Sequence, residues 1–307
     1  MTTTLAMNGK AMRSALIATA AALFVAVSVA LPAVAATQKA FATPDAAAEA
    51  LVDSLARHDD AELAGVLGRD WRRVMPAGDV SEGDRTDFLA AWAKGHRIVA
   101  AGEGRAKLEL ADGWTLPIPL ARGSAGWVFD TAAGADEMRT RRIGRNELAA
   151  IEAMYAYVDA QREYATQDRN GDGVLEYAQR ILSTAGRRDG LYWPTAAGEP
   201  ASPAGPLLAT EDLKDGYHGY KFRILKGQGP AARGGARNYV NRAGRMTNGF
   251  ALVAWPARYG ETGVMTFIVN QDGVVYQKNL GPNSAAAAKA MTAYNPDSTW
   301  DKVATRK

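Results

Sequence analysis

The stretch that most constrains the fold is residues 146–176, where apolar side chains recur at helical spacing before the chain enters Asp168-Arg169-Asn170-Gly171-Asp172-Gly173. Leu148, Ile151, Tyr155 and Val158 fall three or four residues apart and line one face of a helix, while Tyr157 with Tyr164 marks a second apolar line. A helix with two apolar lines is buried on two sides. It needs one body before it and another after it. Helical character extends back to residue 136, with Gly144 as a weak point and Arg139, Arg141, Arg142 and Arg145 making the first part basic. A cationic helix start opposes the helix dipole, so these arginines are expected to meet acids of a neighbouring element, an external anion or solvent.

The body before the helix opens on Thr43, Pro44 and Asp45, a capping hydroxyl, a proline at the first helical position and an early acid. Ala48, Leu51, Val52 and Leu55 form the apolar face of that helix, and a second helix follows Asp59 and Asp60 and stops at Gly68. Residues 87–94 read as helical. Residues 96–101, 106–111, 114–120 and 126–131 then read as four strands, with tight turns at Asp112-Gly113 and Arg122-Gly123. Helices followed by an antiparallel meander predict a small α+β domain over residues 37–134, and this order resembles the cone-shaped folds typified by nuclear transport factor 2. Trp92, His96, Trp114 and Trp127 would line a pocket in such a fold, or flank its core.

The body after the helix starts with residues 185–215, rich in Gly, Pro, Ala and Ser, which read as a long irregular connection. Strands follow at 220–224, 250–255, 264–269 and 274–278, the first with Tyr220, Phe222 and Ile224 alternating on one face. Four meandering strands with one apolar face need a helix against them. The central helix supplies it, so residues 135–307 are expected to form a helix-on-sheet domain.

Lys10 and Arg13, an alanine-rich apolar run over 15–31 and small residues through Ala33, Ala35 and Ala36 have the pattern of a secretory signal peptide, residues 1–36. The rival reading is a retained anchor, since the run is close to the ~17 residues that span a bilayer. Cleavage leaves no predicted transmembrane segment and a periplasmic or secreted protein. It removes Lys10, Arg13 and no acid, so the net charge falls from +3 to +1. With no cysteine in the chain, neither disulfides nor thiols contribute.

Three strings carry a family resemblance: Tyr217-His218-Gly219-Tyr220-Lys221-Phe222-Arg223-Ile224-Leu225, Gly249-Phe250-Ala251-Leu252-Val253-Ala254-Trp255-Pro256-Ala257, and Gly263-Val264-Met265-Thr266-Phe267-Ile268-Val269-Asn270 with Asp272-Gly273-Val274-Val275-Tyr276. With Glu176-Tyr177-Ala178-Gln179 and Asp189-Gly190-Leu191-Tyr192-Trp193-Pro194, they closely resemble the bacterial domain-of-unknown-function family 2950 over most of the mature chain. That resemblance implies no activity. The carboxy-terminal half is also similar in element order to the globular part of type II secretion pseudopilins. Here, however, the long helix is internal and the leader is of the cleaved type.

Two constellations carry chemistry. Asp168, Asn170, Asp172 and Gly173 occupy the first, third, fifth and sixth places of a calcium loop, with the Val174 carbonyl at the seventh and Glu176 at the ninth. The twelfth place is Gln179 in place of a bidentate acid, so such a site is incomplete or completed from elsewhere. The same residues also make a helix-ending turn in which Asp172 caps a following helix, and calcium would lock the two helices together. The second constellation is cationic. Lys221, Arg223, Lys226, Arg233, Arg237, Arg242, Arg245 and Arg258 lie between residues 216 and 260 with no acid among them. Lys226, Arg233, Arg237, Arg242 and Arg245 sit in or beside a glycine-rich loop suited to an anion, and His218 lies close in sequence. Export argues against nucleic acid.

No nucleophile elbow, P-loop or His-Glu-x-x-His is present. The expected function is an exported, non-catalytic binding or assembly module for an anionic envelope component or a protein partner. The alternative is a periplasmic hydrolase-type enzyme with its site between the two domains, using His218 and the acids of residues 168–176.

Overall fold

The computed structural model describes residues 38–76, 80–169, 171–196, 198–205 and 215–304. The leader expected at 1–36 and Asn170 lie outside them. The molecule is an α+β protein: helices and a first antiparallel sheet, then one long helix, then a second antiparallel sheet.

Local chemistry sets the first helices. Thr43 Oγ1 accepts the Ala46 N–H at 3.1 Å with Pro44 at the first position, starting α1 (Pro44–Ala56). Asp59 caps α2 (Asp60–Leu67), and Gly68, at φ 86°, ends it. α3 (Glu82–Lys94) begins five residues before its expected start because Ser81 and Asp84 form a reciprocal capping box. The first sheet runs β1 (His96–Ala100), β2 (Arg105–Leu110), β3 (Leu120–Gly123) and β4 (Gly126–Phe129) in that order. The strand expected at 114–120 is largely absent: Thr115 makes a single bridge to Glu109, and Pro117 and Pro119 have no N–H for a ladder. Leu51, Leu55, Val66, Leu67, Ile118, Leu120 and Phe129 form the first core.

α4 (Thr131–Tyr164) starts on the Asp130 cap and passes Gly144 unbroken. Its first turns pack on the first core through Ala135 and Met138, and its last four turns enter the second. The inward line is Ala150, Met154, Tyr157, Gln161 and Tyr164, flanked by Ala153 and Ala160. Leu148, expected to point inward, is 66% exposed. Alanines on the buried face let the helix approach the sheet closely, a signal that apolar bulk alone does not reveal. The helix ends at Tyr164, well short of residue 176.

The second sheet has strand order β11-β10-β9-β8-β5, with β5 (Tyr220–Leu225), β8 (Ala251–Pro256), β9 (Thr266–Asn270), β10 (Tyr276–Lys278) and β11 (Asp301–Lys302). β6 (Gly227–Gln228) and β7 (Arg237–Asn238) form a separate small hairpin. Every residue of β8 and β9 is buried, so both faces of the sheet are covered there, not the expected one. α4 packs on β8 and β9, and α5 (Ser284–Ala290) packs on β8. Arg223 joins β5 to the end of α5 by donating to the Ala288 carbonyl at 2.7 Å and to that of Met291. No helix among the described residues is long and apolar enough to cross a membrane.

Candidate functional site

The cations of the glycine-rich loop separate into two groups. Lys226 follows β5 and Arg237 lies in β7, and together with Gln228, Asn238 and Thr292 they line an open cleft of about 550 Å³ with no acid in its wall. Arg233 is exposed at the turn above them. Among the described residues, Lys226, Arg233 and Arg237 make no ion pair.

Gln228 builds this cleft from beneath. It is 3% exposed, and its amide nitrogen donates to the Arg233 and Gly235 carbonyls at 2.9 and 2.6 Å. Its oxygen accepts from the Tyr239 hydroxyl at 2.9 Å and from Arg237 Nη2 at 3.3 Å. One buried amide thereby holds the loop tip, the hairpin and the Arg237 guanidinium. A second tie comes from residues 294 and 295: Gly229 N–H donates to Tyr294 O, and Ala231 N–H donates to Asn295 Oδ1, each at 2.9 Å. A glycine-rich loop held at this many points has its backbone and the Arg237 guanidinium fixed before binding, which lowers the entropic cost of binding.

Arg242 and Arg245 sit on a different turn, closed by Asn241, whose side-chain oxygen accepts from the Ala243 and Arg245 amides. Arg242 is exposed, and Arg245 reaches Asp172 at 3.1 Å. His218 belongs to neither group. It lies at φ 46° in the turn before β5, beside Tyr217. Lys226 follows the other end of that strand, and five strand steps alone span about 17 Å.

The acids of residues 168–176 form a self-closed loop. Asp168 accepts the N–H groups of Gly171, Asp172 and Gly173 at 2.8, 3.2 and 2.7 Å. Asp172 accepts from Val174 N–H at 3.0 Å in addition to Arg245. Glu176 is held above the usual carboxylate range, first by burial and then by the charge of Asp172, with Asp168 adding to it and the Met246 amide and Arg245 opposing it. No helix follows for Asp172 to cap, since residues 171–183 are irregular. Among the described residues, no three His, Asp or Glu side chains gather in a metal-holding group. The acids lie beside Arg245 and Met246, ahead of the β8 end that pairs with Leu225, whereas His218 precedes the Tyr220 end. The ingredients of the hydrolase alternative therefore stand at opposite ends of the β5–β8 pair.

The sequence model of the family described as Protein of unknown function (DUF2950) matches residues 38–303. The chain belongs to that family. No curated protein and no solved structure matches it, so the likeness to pseudopilins gains no support. In this DUF2950 protein the basic helix start meets acids: Arg139 pairs with Asp136, Arg141 with Glu137, and Arg142 with Glu261. Of the four positions expected to line a pocket or flank the core, Trp114 stands in the wall of a cavity. Trp92 stacks on His96, and Trp127 bridges to Phe41. Gln228 was missed by sequence reasoning. The one signal pointing to it is a lone amide beside a strand end in a glycine-rich loop.

Proposed function

We propose that this DUF2950 protein is exported through residues 1–36 and acts in the periplasm or cell envelope as a non-catalytic binding module, with the Lys226/Arg237 cleft as its contact for an anionic envelope component. The observation that carries this reading is the pair of cations in an acid-free cleft, with Arg237 fixed by the buried Gln228. An anchored guanidinium and an ammonium group beside amide and hydroxyl groups suit phosphate or carboxylate oxygens. Calorimetric titration of residues 37–307 with sodium tripolyphosphate tests it. Saturable binding that weakens with salt and is lost in Lys226→Glu/Arg237→Glu supports the cleft. Equal affinity in that variant removes it. Fractionation of producing cells, with amino-terminal sequencing, tests export and cleavage.

Calcium enters at the Asp168 loop, where Glu176, raised first by burial and then by the charges of Asp172 and Asp168, is the observation in its favour. An ion there takes over the charge balance that Arg245 supplies to Asp172. Thermal unfolding in chelator and then in millimolar calcium, beside Asp172→Ala, decides it. A ligand at a hundred times its dissociation constant adds about 2.7 kcal/mol of stability. A rise that Asp172→Ala abolishes assigns the loop to calcium, and no rise leaves Arg245 as its counter-charge.

A further inference from the structure

The first core holds an apolar cavity of about 400 Å³ that no part of the reading above uses. α3 stands over it without a single buried residue, although Phe88 and Leu89 face the core cluster. Leu55, Met75, Phe88, Leu116 and Met138 line the cavity, and Trp114, 40% exposed, packs edge-on against Phe88. The volume falls in the range of small-molecule sites. Methionine and aromatic walls adapt to chains of varied shape.

One cation is set into this wall. Arg85, one turn before Phe88 on α3, has its Nε buried with no hydrogen-bond partner. Its Nη1 lies 2.7 Å from His58 Nδ1, and it makes no ion pair among the described residues. The His58 contact leaves the side-on fork of Nε and Nη2, which matches the two oxygens of a carboxylate. The two acids in the wall have other partners: Asp84 accepts from the Ser81 amide and hydroxyl at 2.9 and 2.6 Å, and Asp112 accepts from Trp114 N–H at 2.9 Å. Glu82, outside the wall, lies 3.5 Å from His58 Nε2. An unpaired guanidinium N–H in an apolar wall is an unmet demand for an acceptor.

From the unpaired Arg85 N–H and the apolar volume, we infer that the cavity is a binding site for a fatty-acid-like carboxylate, its hydrocarbon chain between α3 and β2 and its head group on Arg85. The site is in the other core from the Lys226/Arg237 cleft and goes beyond the function proposed there.

The test is a titration of residues 37–307 below the micellar range with dodecanoate, dodecanol and dodecyltrimethylammonium, read by tryptophan fluorescence with Trp114→Phe to assign the signal. Dodecanoate is expected to bind saturably and best. Arg85→Met should weaken dodecanoate about ten- to a hundredfold, the range of a charge-assisted hydrogen bond, and leave dodecanol unchanged. Ala91→Phe, which projects into the cavity, should abolish both, with an unchanged circular dichroism spectrum showing that the fold persists. Lys226→Glu/Arg237→Glu should change neither, which separates this site from the cleft. Absence of saturable dodecanoate binding, tighter binding of the cationic amphiphile, or equal dodecanoate affinity in Arg85→Met overturns the proposal. Binding that survives Ala91→Phe, or is lost in the cleft variant, overturns it as well.

Discussion

Gln161→Leu tests how the second core is held together. Gln161 is fully buried on α4, and its side chain pairs with Ala178 as a backbone amide would: Nε2 donates to Ala178 O at 2.8 Å, and Oε1 accepts Ala178 N–H at 2.9 Å. The same nitrogen lies 3.0 Å from the Tyr157 hydroxyl, which itself donates to Ala251 O on β8 at 3.2 Å. Leucine keeps most of the volume and removes both bonds to Ala178, whose backbone groups are equally buried. Each orphaned group costs about 1–3 kcal/mol, and the apolar replacement recovers part of that, for a net loss of about 3 kcal/mol. In a protein of this size that lowers Tm by roughly 6–12 °C. Urea unfolding with an unchanged slope is the assay for stability, with calorimetry for Tm. The effect should extend to the basic turn, because Tyr177 N–H donates to Met246 O at 2.8 Å and Gln179 Nε2 to Gly244 O at 2.7 Å in the segment that Gln161 anchors. A loss under about 1 kcal/mol would refute the claim that Ala178 depends on this side chain.

Gln228→Leu should weaken tripolyphosphate binding with every cation still present, because Arg237 and the loop tip lose their common anchor; unchanged affinity in the calorimeter would contradict this. Gly249→Ala should destabilise by about 2–3 kcal/mol in urea, since the residue sits at φ 131° and a Cβ there would lie 2.8 Å from both the Tyr239 ring and Gln271 Oε1. Glu176→Gln should be more stable than the parent at neutral pH. The raised Glu176 pKa means that the folded state holds its proton more tightly, so the stability it lends is complete below 4.5 and is lost as pH rises through the folded value. The advantage of the variant should therefore shrink as pH falls towards 4, and a constant difference across the range would contradict the assignment.

What the sequence makes legible here is what neighbours in the chain decide. Thr43 with Pro44, Asp59 and Gly68 mark helix ends by local hydrogen bonding and backbone preference, and they do so in the structure. The alternation through Tyr220, Phe222 and Ile224 places β5 correctly. Family membership was legible from the long strings of residues 217–276. The buried face of α4 was harder to read, because Ala150, Ala153 and Ala160 bury little area while the bulkier Leu148 stands in solvent. α5 is short and nearly all alanine, with no side-chain cap to announce it, and it is the element that covers the second face of the sheet at β8. At the candidate site, five cations close in sequence read as one cluster. The hairpin and the Asn241 turn send them to two places, and Arg245 to an acid. That division depends on Gln228 and Asn241, which hold the loop tip and the Asn241 turn through backbone groups that carry no sequence signature.

The most direct measurement of the central claim is amide chemical-shift mapping of isotopically labelled residues 37–307 during titration with sodium tripolyphosphate. Shifts that saturate together at Gly227, Gln228, Arg237, Asn238 and Thr292, and vanish in Lys226→Glu/Arg237→Glu, are the predicted result. Shifts centred on Arg242, or scattered over the exposed arginines of α4 with the cleft unmoved, would contradict the account.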